Sequence, residues 1–393
     1  MKSTIQKPAM DFKQIVIINQ DSGYLMIDIA NAIAGEKFNV SLITGRLVQR
    51  DKPLSESVNV NRVIKYNRDN KVLRLYSWVM AFFQILFLIK FKYSRSYLFI
   101  VTNPPISTFL PLFCRNSFSV MIFDVYPDAL TEMGFARSRS IFIRIWKHIN
   151  KRVYFRADNI FTLSENMSLR LQEYTNRERI TVIPVWSNKM FFEPIVKSLN
   201  PFVFEHGLKD KFVILYSGNL GATHNIEIIP DLASAIKDPR VMFLIIGDGD
   251  KRKWLQDIII KKGLTNCLIL PLQPVEKMRF SFASADLSIV SLSNSATNLS
   301  VPSKTFNYMS AGLPLLCIAS HDSELFHLVS KYKNGMCFEP DEMEEMVSFI
   351  EDLLDNEGIR ERYRANSLKA SLDFTEDNAE IIAQAVKKSI HLS

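Results

Sequence analysis

The sequence predicts an α/β protein built from two doubly wound parallel sheets, and three observations carry that prediction. At 393 residues the chain is too long for one ordinary core and suits two domains. Its strand candidates are mostly unbroken apolar runs, such as residues 14–19 (QIVIIN) and 241–246 (VMFLII), the pattern of strands covered by helices on both faces. Strand and helix signals alternate in two series, interrupted at 184–208 by Pro184, Pro194 and Pro201.

In the first series, 14–19 reads as a buried strand, Asp21-Ser22-Gly23 as a turn, and 24–35 as a helix closing on Gly35. Strands are expected at 38–44, 58–64, 97–102, 119–123, 159–163 and 180–183. The second series has strands at 212–216, 241–246, 267–270, 287–290, 314–318 and 336–338, with helices between them at 225–237 and 251–262 among others. Helical spacing returns at 341–355, 359–371 and 376–390, and one of these helices is free to cross back and brace the first domain. The expected division is a first domain at 1–190, a linker at 191–210, a second domain at 211–372 and a C-terminal helix at 373–393.

Apolar residues make up 47% of the chain and charged residues 23%, which places it among globular proteins rather than disordered ones. The net charge of +7 suits anionic partners such as phosphates, lipid head groups or nucleic acid, and charge alone does not choose among them. Cys114, Cys267, Cys317 and Cys337 lack C-x-x-C spacing, so they read as buried thiols of a reducing compartment, with no metal site. Residues 1–12 lack the apolar core and small-residue cleavage site of a signal peptide, and a cytoplasmic location is expected.

Residues 75–89 (LYSWVMAFFQILFLI) are almost wholly apolar and are flanked by Lys71, Arg74, Lys90, Lys92 and Arg95. This stretch is shorter than the ~20 residues that span a bilayer. Two placements stay open: a buried core helix, or a helix in the head-group layer of the inner membrane with Lys71, Arg74, Trp78, Phe82, Lys90 and Lys92 in contact with lipid. Outside residues 62–95 no basic stripe interleaved with aromatics is evident, so nucleic acid is not an expected partner.

The most informative stretch is 301–316, VPSKTFNYMSAGLPLL. Pro302 and Ser303 start a short helix, Gly312 caps it and Pro314 stops it before a strand. Such a helix start offers unpaired N–H groups to a diphosphate, and Lys304 adds a full positive charge that is unfavourable there unless an anion binds. Residues 215–225 (LYSGNLGATHN) read as a strand followed by a turn at Ser217-Gly218-Asn219, where backbone can approach a ligand. Gly247-Asp248-Gly249 marks a further turn. Residues 123–128 (FDVYPD) place Asp124 and Asp128 at a sheet edge, either as groups that orient or deprotonate an incoming hydroxyl or as a helix cap.

Taken in order, SGY, VTNPP at 101–105, FDVYPD, IPVW at 183–186, YSGNLG, IIGDG at 245–249, ASADLSIVSL at 283–292 and VPSKTFNYMSAGLP resemble family 4 glycosyltransferases of the GT-B fold. The resemblance covers roughly residues 13–390 and is strongest to the branch that builds bacterial O-antigen and capsule repeat units. It implies two Rossmann-like domains facing a central cleft, and retaining, metal-independent transfer from a nucleotide sugar, UDP-linked, to a saccharide on a polyprenyl diphosphate. No cofactor is implied beyond that co-substrate. By position, Ser303 and Lys304 would meet the diphosphate, Ser300 and Val301 would line the donor-sugar pocket, and Gly23, Gly218 and Asn219 would border the phosphates. Asp124, Tyr126 and Asp128 would receive the acceptor, with Asp124 and Lys304 as the catalytic pair, and Asn307 would meet the ribose.

The sequence departs from the family pattern in four places. Leu299 and Asn307 replace both acids of E-x7-E, Phe123 replaces a histidine, and an Arg/Lys pair after the Gly-rich turn is missing, with Asn219 and His224 nearby. Two rivals therefore stand beside the transferase: a sugar-nucleotide epimerase, for which the loop SNSATNLSV offers no acid or base, and a non-catalytic scaffold subunit.

Overall fold

A computed structural model describes residues 14–67, 71–132, 139–188, 190–221, 224–293 and 301–392. The chain forms two compact units, Met1–Pro184 with Glu376–Ser393, and Val185–Thr375.

The first unit holds β1 (Gln14–Ile18), β2 (Asp21–Ser22), α1 (Tyr24–Gly35), β3 (Asn39–Thr44), β4 (Arg46–Leu47), β5 (Asn59–Arg62), α2 (Lys71–Phe91), β6 (Tyr97–Val101), β7 (Phe118–Ile122), α3 (Asp128–Glu132), α4 (Ile141–Arg156), β8 (Ile160–Thr162), α5 (Glu165–Leu171) and β9 (Ile180–Val182). Its seven-stranded sheet runs β5-β3-β1-β6-β7-β8-β9, with every described pair parallel. The central strands are buried along most of their length because helices cover both faces.

Right-handed crossovers place the connections β5→β6, β6→β7 and β7→β8 on one face, since all three step the same way across the sheet. That face carries α2, the 3-10 segment Pro105–Leu112 and α4; α2 and α4 both pack on the 3-10 segment. The step β1→β3 runs the other way and puts α1 on the opposite face. There α1 meets α14 (Asp377–Leu392).

The second unit begins with α6 (Pro201–Glu205), followed by β10 (Phe212–Asn219), α7 (Ile228–Ala235), β11 (Val241–Asp248), α8 (Arg252–Lys261), β12 (Cys267–Leu270), α9 (Val275–Ala283), β13 (Leu287–Ser291), α10 (Ser303–Ser310), β14 (Leu315–Ile318), α11 (Glu324–Tyr332), β15 (Gly335–Phe338), α12 (Met343–Asp355) and α13 (Glu357–Ala370). Its parallel sheet runs β12-β11-β10-β13-β14-β15. One face packs Ile214, Tyr216, Phe243, Ile245 and Ile289 against Ile229, Leu232, Leu255 and Ile350.

Four local expectations need correction. Asp21 and Ser22 form a short strand paired with Arg46 and Leu47, and the Arg46 guanidinium grips both Asp21 carboxylate oxygens at 2.6 and 2.8 Å. The proline-rich stretch is not bare linker: Asn200 caps the backbone N–H of Phe202 and Pro201 opens α6, burying Phe202 and Val203. Ser217-Gly218-Asn219 and Gly247-Asp248 continue β10 and β11 and pair with each other.

The fourth correction concerns the apolar stretch. The helix that contains it is 21 residues long, and by length and composition alone Val72–Phe91 suffices to cross a membrane. Only 22% of that apolar window is buried, and Ser77, Ala81, Ile85 and Ile89 supply one narrow buried stripe at four-residue spacing.

Candidate functional site

The start of α10 is built around one buried cation. Every residue from Lys304 to Ser310 is buried, and Gly312, at φ +70°, closes the helix as the sequence requires. Tyr308 ties the helix to the end of β10, its hydroxyl accepting from Ser217 N at 2.7 Å and donating to Ser217 O at 3.3 Å. Among the described residues no side chain caps the helix at Pro302, and Ser303 is exposed.

Lys304 follows immediately, its Nζ 3.8 Å from the centre of the Tyr216 ring and without a hydrogen-bond partner among the described residues. Burial pushes its pKa from 10.5 down to about 7. The neighbouring Thr305 Oγ1 is also buried, and it too lacks a partner among the described residues. A helix start that holds an uncompensated ammonium and an unpaired hydroxyl has the charge and the donors an anion needs.

Two glycines make room for this arrangement. Gly218 sits at φ +147°, and a Cβ there would lie 3.0 Å from Lys304 Nζ. A Cβ on Gly247 would lie 2.2 Å from Gly218 O, so β11 comes this close to the Gly218 carbonyl because residue 247 lacks a side chain. Asn219 ends β10, its carbonyl accepting from the Tyr216 hydroxyl at 2.6 Å. His224 is held neutral, its pKa lowered to about 4 first by burial and then by Lys304 and Lys251.

Of the other donor-side candidates, Val301 is buried beside the helix start, and Ser300 lies outside the described residues. Asn307 is buried one turn along α10, and its Oδ1 accepts from Ser187 Oγ at 2.8 Å. Gly23, in the first unit, is the residue before α1; its carbonyl accepts from Met26 N and Ile27 N, and nothing lies within 4 Å of where a Cβ would stand.

In the first unit, Asp124 and Asp128 have opposite environments. The Asp124 side chain makes no hydrogen bond or ion pair among the described residues, and burial raises its pKa. Asp128 opens α3 and is fully engaged, with Lys147 Nζ at 2.7 Å and the Tyr174 hydroxyl donating to its other oxygen. Between them, Tyr126 stacks on Trp146 with ring centres 6.0 Å apart. The Tyr126 phenol is pushed up by burial first and then by Asp124, with Tyr66 and Arg74 also close enough to act on it.

Among the residues expected at a membrane, Lys90 and Lys92 are exposed, Lys92 donating to Asn61 Oδ1 at 2.9 Å. Trp78 stacks on Tyr66 and Phe82 packs edge-on against Phe113, so both are half-buried in their own unit, as is Arg74. The helical part of Lys71 is described, but its side chain is not. The exposed apolar side chains of α2 are others, notably Phe83, Phe87 and Phe91.

Sequence reasoning missed Thr305, Tyr216 and Tyr308 around Lys304. Their proximity comes from α10 folding back against β10, a contact 91 residues apart in sequence.

Comparison with known proteins bears on the second unit first. Residues 201–370 match the model of the family described as glycosyl transferases group 1, which includes β10, Lys304 and all of α10. The chain is 26% identical over 239 residues to the probable glycosyltransferase WbjE of Pseudomonas aeruginosa, covering 60% of this chain and 59% of that protein. It is 26% identical over 202 residues to the putative colanic acid biosynthesis glycosyl transferase WcaI of Escherichia coli K12, covering 50% of each. The chain thus spans between half and three-fifths of the length of these curated relatives.

Among solved structures, Anabaena Alr3699/HepE in complex with UDP-glucose superposes with a TM-score of 0.71 at 14% identity, over 96% of this chain and 99% of that one. The fold is GT-B. Two parallel-sheet α/β domains of this kind are what the sequence predicted, and in this GT-B chain the glycosyl transferases group 1 match falls on the unit that holds Lys304.

Proposed function

We propose that the protein is a retaining glycosyltransferase that moves a sugar from a UDP-linked donor to a saccharide carried on a polyprenyl diphosphate, at the cytoplasmic face of a membrane. The observation that carries this reading is the buried, unpartnered Lys304 ammonium beneath Gly218 at the start of α10. The glycosyl transferases group 1 match, the UDP-glucose bound by the Anabaena protein and the colanic acid role named for the Escherichia coli relative support it.

In this reading the diphosphate supplies the charge that Lys304 lacks, drawing its pKa back above neutrality. As the C1–O bond to the leaving diphosphate breaks, the ammonium and the first amides of α10 stabilise the charge that develops there, so the reaction needs no metal of its own. Thr305 Oγ1 is a further donor at the same helix start. Asp124, without a partner among the described residues and with its pKa raised by burial, orients the acceptor hydroxyl and accepts its hydrogen bond. Asn307, fixed by Ser187, meets the ribose with its carboxamide in place of a carboxylate.

The deciding experiment offers a panel of nucleotide sugars with a lipid-linked acceptor and reads product by mass spectrometry, in the wild type and in Lys304→Ala. Full turnover by Lys304→Ala refutes the assignment. One observation favours a second reading, a non-catalytic scaffold: the ribose-facing acid is replaced by Asn307, already engaged with Ser187. Calorimetric UDP binding with no transfer across the whole donor panel would select it.

A further inference from the structure

The exposed face of α4 combines cations and apolar side chains with no acid. Its sequence, IFIRIWKHINKRVYFR, contains no Asp or Glu. Ile143, Trp146, Asn150, Val153 and Tyr154 face the core, which leaves Ile141 and Phe155 about three-quarters exposed and Phe142 and Ile145 more than half exposed. Between them stand Arg144, Lys151 and Arg152, all exposed and with no ion pair among the described residues. Lys147 and Arg156 are the engaged cations of this helix, Lys147 with Asp128 and Glu173, Arg156 with the carbonyls of Pro111 and Cys114. Here the sequence-based expectation of no basic, aromatic-bearing element outside residues 62–95 is corrected.

This face is not isolated. α4 lies in the same helical layer as α2, and the segment between them ends in Leu112 and Phe113, both exposed, followed by the exposed Arg115. Phe113 packs edge-on against Phe82 of α2, while Phe109 packs against Trp146 of α4. One side of the first unit therefore presents Phe83, Phe87 and Phe91 of α2, then Leu112 and Phe113, then the cationic and apolar face of α4.

We propose that α4 is a second membrane-contact element, which docks on anionic lipid head groups while α2 supplies apolar insertion. The proposal rests on the membrane-surface setting above and divides its labour between two helices. Charge complementarity selects the partner: unpaired Arg and Lys attract anionic head groups, and Ile and Phe on the same face enter the interface. A nucleic acid or an acidic protein would use the cations but leave Ile141, Phe142, Ile145 and Phe155 in water.

The test is flotation of the full chain with vesicles of phosphatidylcholine alone and of phosphatidylcholine with about one-third phosphatidylglycerol, near 0.1 M salt. Wild type is expected to favour the anionic vesicles. Arg144→Gln with Lys151→Gln and Arg152→Gln, all solvent-exposed substitutions, should weaken binding to anionic vesicles on the order of 100-fold and leave binding to neutral vesicles unchanged. Phe83→Ser with Phe87→Ser should weaken both equally and preserve the preference for anionic lipid. An unchanged anionic preference in the triple variant overturns the proposal, as does a wild type that binds a DNA duplex in preference to anionic vesicles. UDP calorimetry on the same samples separates this from the enzymatic reading: failure there with an intact vesicle profile removes the transferase and leaves α4 standing.

Discussion

The loop after β7 in the first unit and the start of α10 in the second each hold a charged group away from water without a partner among the described residues, and they differ in how completely. Lys304 is closed in by Gly218 and Tyr216, and burial lowers its pKa to about 7. Asp124 is raised by burial alone and is half-buried at a loop edge. Four residues on, Asp128 shows the ordinary solution, a carboxylate satisfied by Lys147 and Tyr174. A fold keeps an uncompensated charge where a ligand completes it, and the degree of enclosure indicates how much of that ligand's charge the site must match.

That contrast can be broken at its strongest point first. Lys304→Ala is expected to lower kcat by about 10³-fold and to abolish measurable UDP binding, read by product formation and calorimetry. Asp124→Asn should cost about 10²-fold in kcat while UDP affinity stays within twofold of wild type. Asp128→Asn, by contrast, should leave UDP binding intact and destabilise the protein by about 1–3 kcal/mol in urea unfolding, because it strips a partner from Lys147 and Tyr174.

A pH series sharpens the Lys304 side of the comparison. Its folded pKa, about 7, lies below the ordinary 10.5, so between those values the unfolded chain binds the extra proton and native stability rises with pH. Lys304→Met should therefore be more stable than wild type, with a gap largest below pH 7 that narrows by roughly 2 kcal/mol by pH 9. A gap independent of pH would mean the ammonium is not desolvated. The smallest expected effect is that of a chelator: turnover should be the same with and without EDTA.

Much of this was legible from sequence because it rests on local signals. Unbroken apolar runs gave the strands, and Pro302, Gly312 and Pro314 bounded α10 nearly to the residue. The charge of Lys304 at a helix start marked it as unusual before any contact was known. What stayed hidden depends on distant packing: Thr305 reads as one more helical residue until its hydroxyl is seen buried, and Tyr216 as a strand residue until the ammonium lies over its ring. Asp124 and Asp128 are equivalent in sequence, and only Lys147 and Tyr174, from elements 19 and 46 residues beyond Asp128, tell them apart. The apolar stretch at 75–89 reads as short because cations interrupt it at Arg74 and Lys90, yet helix propagates through them to Lys71 and Phe91 and adds a full turn.

The path of the chain has a practical consequence. α14 buries Ala379, Ile382, Ala383, Val386 and Ile390, and Ser389 and Lys387 reach Asn159 and Glu36 of the first unit. A stop codon at position 376 would spare the contiguous second unit and strip a flank from the first, so a fragment meant to isolate that half must carry residues 376–393 grafted back by circular permutation or supplied as a separate peptide.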